Sequence, residues 1–184
     1  MRQFALRVLG LCALVVSASA LTASTGCSTA PKSQDMASFD ADANGALFWF
    51  QDNVPGLRDQ IRGSAGYIVF PSVGQWGILF GGGEFGRGAL NRPDGSRIGW
   101  AALNTASVGL QAGARGFKML IVLEDQATLD QFMENQLSGS VSGVVVVTDA
   151  GYSARAPFTN GVAVYQGAST GLMAGVNVGL DYIR

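Results

Sequence analysis

The spacing of apolar positions changes near residue 66, from a helical arrangement to an alternating one. Upstream, residues 46–50 (Ala-Leu-Phe-Trp-Phe) form a dense apolar and aromatic cluster that favours a helix. A second short helix is expected at 57–62, because Pro55 suits a first helical turn. Downstream, β-branched and aromatic runs such as residues 67–70 predict strands. The chain is therefore expected to begin with helices and to continue as a β-rich domain.

Turn residues divide the β-rich part into several predicted strands. Pro71 is expected to end the first strand, and residues 91–96 (Asn-Arg-Pro-Asp-Gly-Ser) to form a turn before a return strand. Apolar and polar residues alternate over 107–115 and again over 172–182, as in half-buried strands. Further strands are expected at 118–123, 144–148 and 161–165.

One amphipathic helix is expected in the second half. Leu129, Phe132 and Met133 recur at the spacing of one helical face, and Asp125 is a suitable N-cap. Glycine repeatedly occupies one face of the predicted strands, which marks a bend, a bulge or a close backbone approach. The expected fold class is α+β. It has a β-rich, curved, mainly antiparallel sheet or a small barrel, an N-terminal helical segment and one helix near residues 125–136.

Residues 1–26 have the layout of a bacterial export signal. Two arginines precede an apolar run at 8–16, and small residues follow up to Cys27. The run is far shorter than the ~20 residues that a bilayer-spanning helix needs. The ending at 24–27 (Ser-Thr-Gly-Cys) resembles the lipobox of bacterial lipoproteins. This resemblance implies that Cys27 receives fatty acyl chains such as palmitate and becomes the new N-terminus. Cleavage after Ala20, at an ordinary A-x-A site, is the alternative.

Cysteine usage favours lipidation of the mature chain. Cys12 is removed with the signal, so Cys27 has no intramolecular disulfide partner, and acylation explains the unpaired cysteine. Because Ser28 rather than Asp follows it, the resemblance implies the outer membrane, facing the periplasm. Residues 27–38 are predicted to form a lipidated flexible tether, and residues 39–184 to form one domain.

Composition excludes several classes of function. The formal charge is −1, and removing the two signal arginines makes it about −3, which argues against a nucleic-acid binder. The chain has no histidine, and the predicted domain has no cysteine, so the commonest general base and the usual zinc ligands are missing. No catalytic residue, metal or cofactor is therefore expected, and the protein is not expected to be an enzyme.

The glycine-rich stretch at 81–86 matches G-x-G-x-x-G, the pattern of a dinucleotide-binding turn. That pattern must open a helix, whereas residues 87–91 predict a strand and a turn. A glycine-lined strand is therefore the preferred interpretation.

Six residues are candidate lipid contacts. Trp49 and Phe50 belong to an aromatic cluster suited to a membrane interface, although core packing is the alternative. Two basic pairs are candidates for lipid phosphates: Arg58 with Arg62, four residues apart on one helical face, and Arg115 with Lys118. A solvated surface is the alternative for these charges.

Four blocks in order resemble the SYLF family of lipid-binding domains. They lie at 66–73, 81–88, 105–113 and 171–176. The resemblance runs from about residue 42 to the C-terminus and is weaker over 138–160. It implies a compact β-rich domain with helices that binds phospholipid without catalysis. Bacterial members are often exported lipoproteins, which agrees with Cys27.

The eukaryotic members bind phosphoinositides through an N-terminal amphipathic helix, and some bind actin. The counterpart here, residues 43–62, has only Arg58 and Arg62 as basic residues, so phosphoinositide specificity is not expected. The predicted function is that of a non-catalytic phospholipid-binding lipoprotein of the bacterial cell envelope. The alternative is a membrane-anchored interaction or scaffold module without lipid specificity. The expected partner is a phospholipid membrane, with no nucleic acid and no identified protein partner.

Overall fold

The structure is a computed structural model that describes residues 35–78, 81–108, 113–134, 144–147, 155–171 and 180–183. The helices are α1 (Met36–Asn53), α2 (Leu57–Arg62) and α3 (Gln126–Met133). The strands are β1 (Gly66–Ile78), β2 (Gly81–Asn91), β3 (Arg97–Val108), β4 (Gly113–Leu123), β5 (Val144–Val147), β6 (Val162–Gly171) and β7 (Leu180–Ile183).

The strands form one sheet in the order β5-β6-β4-β1-β2-β3-β7. Neighbours are antiparallel except β5 and β6, which are parallel. The two ends of this order, β5 and β7, do not pair with each other in the described part of the chain, so the sheet is open. The α+β class with a curved, mainly antiparallel sheet is confirmed, and the small-barrel alternative is wrong.

The helices cover opposite faces of the sheet. One face of the sheet, which we call the α1 face, is covered by α1 and α2. Phe50, Leu57 and Tyr165 are fully buried there in one apolar core. The opposite face, which we call the α3 face, forms a second core with Leu129 and Phe132 of α3. The sheet is therefore the middle layer of three, and each face has its own set of apolar side chains.

Local predictions around α3 and the 91–96 turn are confirmed. The Asp125 carboxylate accepts a hydrogen bond from the Thr128 backbone N–H at 2.8 Å, which satisfies one of the unpaired donors at the start of the helix. In the turn, the backbone N–H of Arg92 donates to Ser96 O at 2.8 Å. Gly95 adopts a φ of 88°, which glycine accommodates readily.

The prediction that Pro71 ends the first strand is wrong. β1 continues to Ile78, and its pairing with β4 shifts register between Phe70 and Val73. Proline has no N–H to pair, and a bulge is where a strand tolerates it. The bulge also changes which side chains share a face. Val69 belongs to the core under α1, whereas Val73 belongs to the core under α3. The even-numbered residues beyond the bulge therefore lie on the α1 face.

Two other strand predictions are corrected or only partly described. The alternation over 107–115 does not belong to one strand, because β3 ends at Val108 and pairs with β2, while β4 begins at Gly113 and pairs with β1. Residues 109–112 lie outside the described residues. For the alternation over 172–182, β7 contains the last part, and 172–179 also lie outside the described residues.

A buried hydrogen-bond network connects α2 to β6. The Tyr165 hydroxyl donates to Gln60 Oε1 at 2.5 Å and accepts from the Ala156 backbone N–H at 2.8 Å. Gln60 Nε2 in turn donates to Ala156 O at 3.0 Å. This network holds the segment before β6 against the helical layer.

Candidate functional site

On the α1 face, residues of β1, β2 and β4 form successive cross-strand rows. These rows differ in burial and in charge. The row formed by Ala89, Val69 and Leu120 is part of the buried core. Beyond it, Arg87 and Lys118 lie on either side of the bulge at residues 71–72. The two positions follow Gly86 and Phe117, which both pair with Val73. We call this the cationic row.

The next two rows are apolar and partly open. One contains Phe85, Gly74 and Gly116, and the other contains Trp76 between Gly83 and Ala114. Phe85 is 57 % exposed and Trp76 is 46 % exposed. We call these two side chains the aromatic pair. The face therefore runs from a closed core, through two cations, to two exposed aromatic rings.

A cleft of ≈ 1010 Å³ lies between α1 and these rows. Phe39, Gly45 and Trp49 of α1 form one wall, and the cationic row and Phe85 lie on the sheet side. Small-molecule sites usually measure about 300–1,000 Å³, so this cleft is at the upper end of that range.

Strand glycines permit aromatic rings to lie close to the sheet. A Cβ at Gly74 would overlap Cζ of Phe85, and a Cβ at Gly167 would overlap Cζ3 of Trp49. Both approaches are closer than real carbon contacts, so a larger residue at either position would have to displace the aromatic ring. The prediction that strand glycines mark close approach is confirmed. Gly45 in α1 differs, because a Cβ there would have no atom within 4 Å.

The cationic row differs from the three arginines that form ion pairs on the described surface. Arg97 forms an ion pair with Asp40 at 2.7 Å, and other surface arginines also pair with acids. Within the described part of the chain, no carboxylate lies within 4.0 Å of Arg87 or Lys118. Asp42 is the acidic residue among the described lining groups, so two cations face one anion. Lys118 Nζ lies 5.5 Å from the Trp49 ring, a cation–π distance.

The structure brings together two of the six candidate lipid contacts. Trp49 and Lys118 line the cleft. Phe50, next to Trp49, is instead fully buried, with its ring 6.5 Å from that of Tyr165.

The other three candidates lie away from the cleft. Arg58 pairs with Asp52 at 3.2 Å and Arg62 with Asp59 at 2.9 Å, both on the exposed surface of α2. Arg115 lies on the α3 face, where its guanidinium donates to Gln75 and stands 5.0 Å from the Phe117 ring. Burial lowers the pKa of Arg115, and the charge of Glu84 opposes that shift.

Sequence reasoning missed Arg87 and the aromatic pair. Arg87 and Phe85 share a face because they are two residues apart in β2, and that spacing was available from the sequence. The position of Trp76 was not, because it depends on the bulge at Pro71.

No cluster of three or more His, Cys, Asp or Glu side chains that could hold a metal ion occurs in the described ranges. The same ranges contain no helix with the length and hydropathy needed to cross a membrane. The stretch at 81–86 lies in β2, which agrees with its interpretation as a glycine-lined strand.

Fold and cleft together define a three-layer α+β domain with a cation-bearing apolar groove. Residues 104–184 match the sequence model of the family described as "Ysc84: Las17-binding protein actin regulator". This is the SYLF family, so the predicted resemblance is confirmed over residues 104–184. The matched region includes Lys118, whereas Trp49 and Arg87 precede it. No curated protein matches the chain.

Proposed function

We propose that this protein is a non-catalytic phospholipid-binding lipoprotein of the bacterial cell envelope. Cys27 is its lipid attachment site, residues 28–35 before α1 are its tether, and the SYLF-like domain contacts the membrane. The layout of residues 1–27 supports export and acylation. Ser28 after the cysteine supports the outer membrane, with the domain in the periplasm. The family supports a lipid-binding or actin-regulator-related module.

The observation that carries the lipid contact is the aromatic pair beside the cationic row. Aromatic side chains are favoured at the membrane–water interface, and lysine and arginine at the same level meet phosphates. Trp76 and Phe85 lie on the same face as Arg87 and Lys118, one or two rows away. A bilayer surface meets both sets of groups at once.

The expected strength explains why an anchor is useful. Burying an aromatic side chain contributes about 1.5–3 kcal/mol, and a cation near an anionic surface about 1 kcal/mol. Two of each give roughly 5–8 kcal/mol before the entropy of association is subtracted, so the net affinity is weaker than about 1 μM. Because α1 begins at Met36, the tether is shorter than the predicted 27–38, and residues 28–35 reach at most about 29 Å. Anchoring therefore converts weak binding into a local, effectively intramolecular contact.

Co-sedimentation with vesicles tests the lipid contact. A chain that begins at Ser28 keeps every described helix and strand. It is expected to bind vesicles of phosphatidylethanolamine and phosphatidylglycerol, and to bind them less well when Trp76 and Phe85 are changed to Ala. Phe48→Ala is the matched control, because Phe48 is 60 % exposed but does not line the cleft. Failure to bind any phospholipid mixture would contradict the proposal.

The intact mass of the mature protein tests the anchor. The proposal expects Cys27 as the N-terminal residue with added acyl mass. A mature chain that begins at Leu21 without fatty acid would remove the anchor from the proposal.

A protein-interaction module is the second candidate. The matched family is named for a protein that binds Las17 and regulates actin, so members of the family are associated with protein partners. Affinity purification that recovers one partner in fixed stoichiometry, together with no lipid preference, would favour this candidate.

A further inference from the structure

We propose that the cleft takes up one acyl chain of an anionic phospholipid, with the phosphate held between Arg87 and Lys118. This inference deepens the proposed function, on which it rests. Surface docking uses the exposed aromatic pair and the cationic row, and it leaves the apolar interior of the cleft unused. A single hydrocarbon chain can enter the cleft between α1 and the sheet, where a flat bilayer surface cannot. The domain would then hold an individual lipid molecule rather than only adsorb to a membrane.

The walls of the cleft suit hydrocarbon along its length. Phe39, Ala46 and Trp49 face the sheet from α1, and Gly74 and Phe85 oppose them. The bare Cα of Gly74 lets the Phe85 ring lie over β1. A chain lying here removes apolar surface from water on both sides, which is the main source of affinity for such a ligand.

The cationic row is placed to hold an anionic head. Arg87 and Lys118 lie on β2 and β4, with β1 between them, so their backbones are about 9–10 Å apart. Long side chains from both positions can meet on one phosphate, with Arg as a bidentate donor and Lys as a point charge. The exposed Ser72 lies at the bulge between them. This local excess of positive charge contrasts with the net negative charge of the whole chain.

A peptide segment is a poorer occupant of this cleft. An extended peptide needs backbone partners, which it usually finds at a free sheet edge. The floor of the cleft is formed by β1, β2 and β4, and β1 and β2 are paired on both sides while β4 lies between β1 and β6. Hydrocarbon has no polar groups to satisfy, so it matches this floor.

The test uses 1-palmitoyl-lysophosphatidylglycerol below its critical micelle concentration, and titration calorimetry with the chain that begins at Ser28. One lipid is expected to bind per chain. Gly45→Leu places a side chain in the cleft at a position with no atom within 4 Å, so it should fold normally and weaken binding at least tenfold. Asn44→Leu is the matched control. It introduces the same leucine at an exposed neighbouring position of α1 that does not line the cleft, and it should leave binding unchanged. Thermal melts check that both variants fold.

A second pair of variants tests the head-group contact. Arg87→Gln with Lys118→Gln should weaken binding of the anionic probe at least tenfold. Equal binding of this probe by the double variant and by the unchanged chain would overturn the role of the cationic row.

Other outcomes separate this inference from the proposed function. The inference would be overturned if Gly45→Leu bound the probe at full strength, or if the unchanged chain did not bind the probe. Vesicle binding by the unchanged chain reports on the proposed function independently. A lipid-free dimer that Gly45→Leu converts to monomers would show a second copy in the cleft, and this also overturns the inference.

Discussion

Replacing Tyr165 by Phe removes one hydroxyl from a buried network that spans two layers of the domain. Tyr165 is fully buried in β6, and its partners are also inaccessible, with Ala156 2 % and Gln60 8 % exposed. The hydroxyl serves both partners, as donor to Gln60 Oε1 and as acceptor from the Ala156 backbone N–H. The variant keeps the ring in its core contacts and leaves both partners without this bond.

The expected destabilisation follows from those two groups. A buried donor or acceptor without a partner costs about 1–3 kcal/mol. Gln60 keeps its bond from Nε2 to Ala156 O and has slight access to water. The cost of leaving Gln60 Oε1 without the tyrosine hydroxyl should therefore lie at the lower end of that range. We expect Tyr165→Phe to lower the free energy of unfolding by about 2–4 kcal/mol. For a domain of this size, that corresponds to a fall in Tm of roughly 5–15 °C.

Urea unfolding and thermal melts of the chain that begins at Ser28 measure this loss. Tyr67→Phe is the control, because Tyr67 is 4 % exposed but its hydroxyl forms no hydrogen bond with another described residue. It should change stability by less than about 1 kcal/mol. A double-mutant cycle with Gln60→Leu isolates the pair and should give a coupling of about 0.5–3 kcal/mol. A Tyr165→Phe loss below about 1 kcal/mol, or zero coupling, would refute the reasoning.

The same buried hydroxyl predicts a pH dependence. Burial raises the pKa of Tyr165, while its hydrogen bonds and Arg155 oppose the shift. A raised pKa means that the folded state holds this proton more tightly than the unfolded chain does. The contribution of this proton to the free energy of unfolding is therefore complete below about pH 10. It is lost as the pH rises through the folded-state pKa of Tyr165. Melts from about pH 8 to 11 should show this alkaline loss, and it should be smaller in Tyr165→Phe.

Three further predictions concern single positions, and thermal melts check all of them. Gly167→Ala should destabilise by about 1–3 kcal/mol, because its Cβ would overlap the Trp49 ring; an unchanged Tm would contradict that packing. Gly45→Ala should stabilise by about 0.5–1 kcal/mol, because it removes a helical glycine in open space, and a lower Tm would argue against that space. Asp125→Ala should lower Tm, whereas Asp125→Asn should retain most of it, because both Asp and Asn can accept the N-cap hydrogen bond from the Thr128 backbone N–H. Hydrogen bonds from Thr128 lower the pKa of Asp125, so the stability that the charged cap contributes is lost as the pH falls through this lowered pKa. Equal loss of Tm in both variants would exclude capping.

Local elements were predictable because their signals act over a few residues. The Asp125 cap joins atoms three residues apart, and the turn at 91–96 closes through bonds between near neighbours. The helical cluster at 46–50 and the apolar run at 118–123 were also identified correctly as helix and strand. In each case the chemistry of the segment is enough to select its conformation.

Strand continuity was not predictable in the same way. The bulge at Pro71 keeps β1 going because β2 and β4 pair with it on both sides beyond the bulge, which the run at 67–70 does not reveal. The alternation over 107–115 has the period of one strand, yet its two ends pair with different partners. Pairing between distant segments decided both cases.

The candidate site shows the same division. Trp49 and Lys118 were recognised as residue types suited to lipid, but Phe50, equally aromatic, belongs to the core. Neighbours along a helix point in different directions, so only the packing of α1 on the sheet separates Trp49 from Phe50. Arg87 became a candidate only when β1 placed it across from Lys118.

The sequence by itself determined the helix-to-strand order, the capped helix, the family blocks and the cysteine motif at residue 27. Each of these depends on residue types at short separations along the chain. The tertiary structure alone decided that a bulge transfers Gly74 and Trp76 to the α1 face. It also decided that an apolar cleft is flanked by two cations, which have no acidic partners in the described part of the chain. A register shift changes the face of every later side chain in a strand, and that shift is set by partners far away in the sequence.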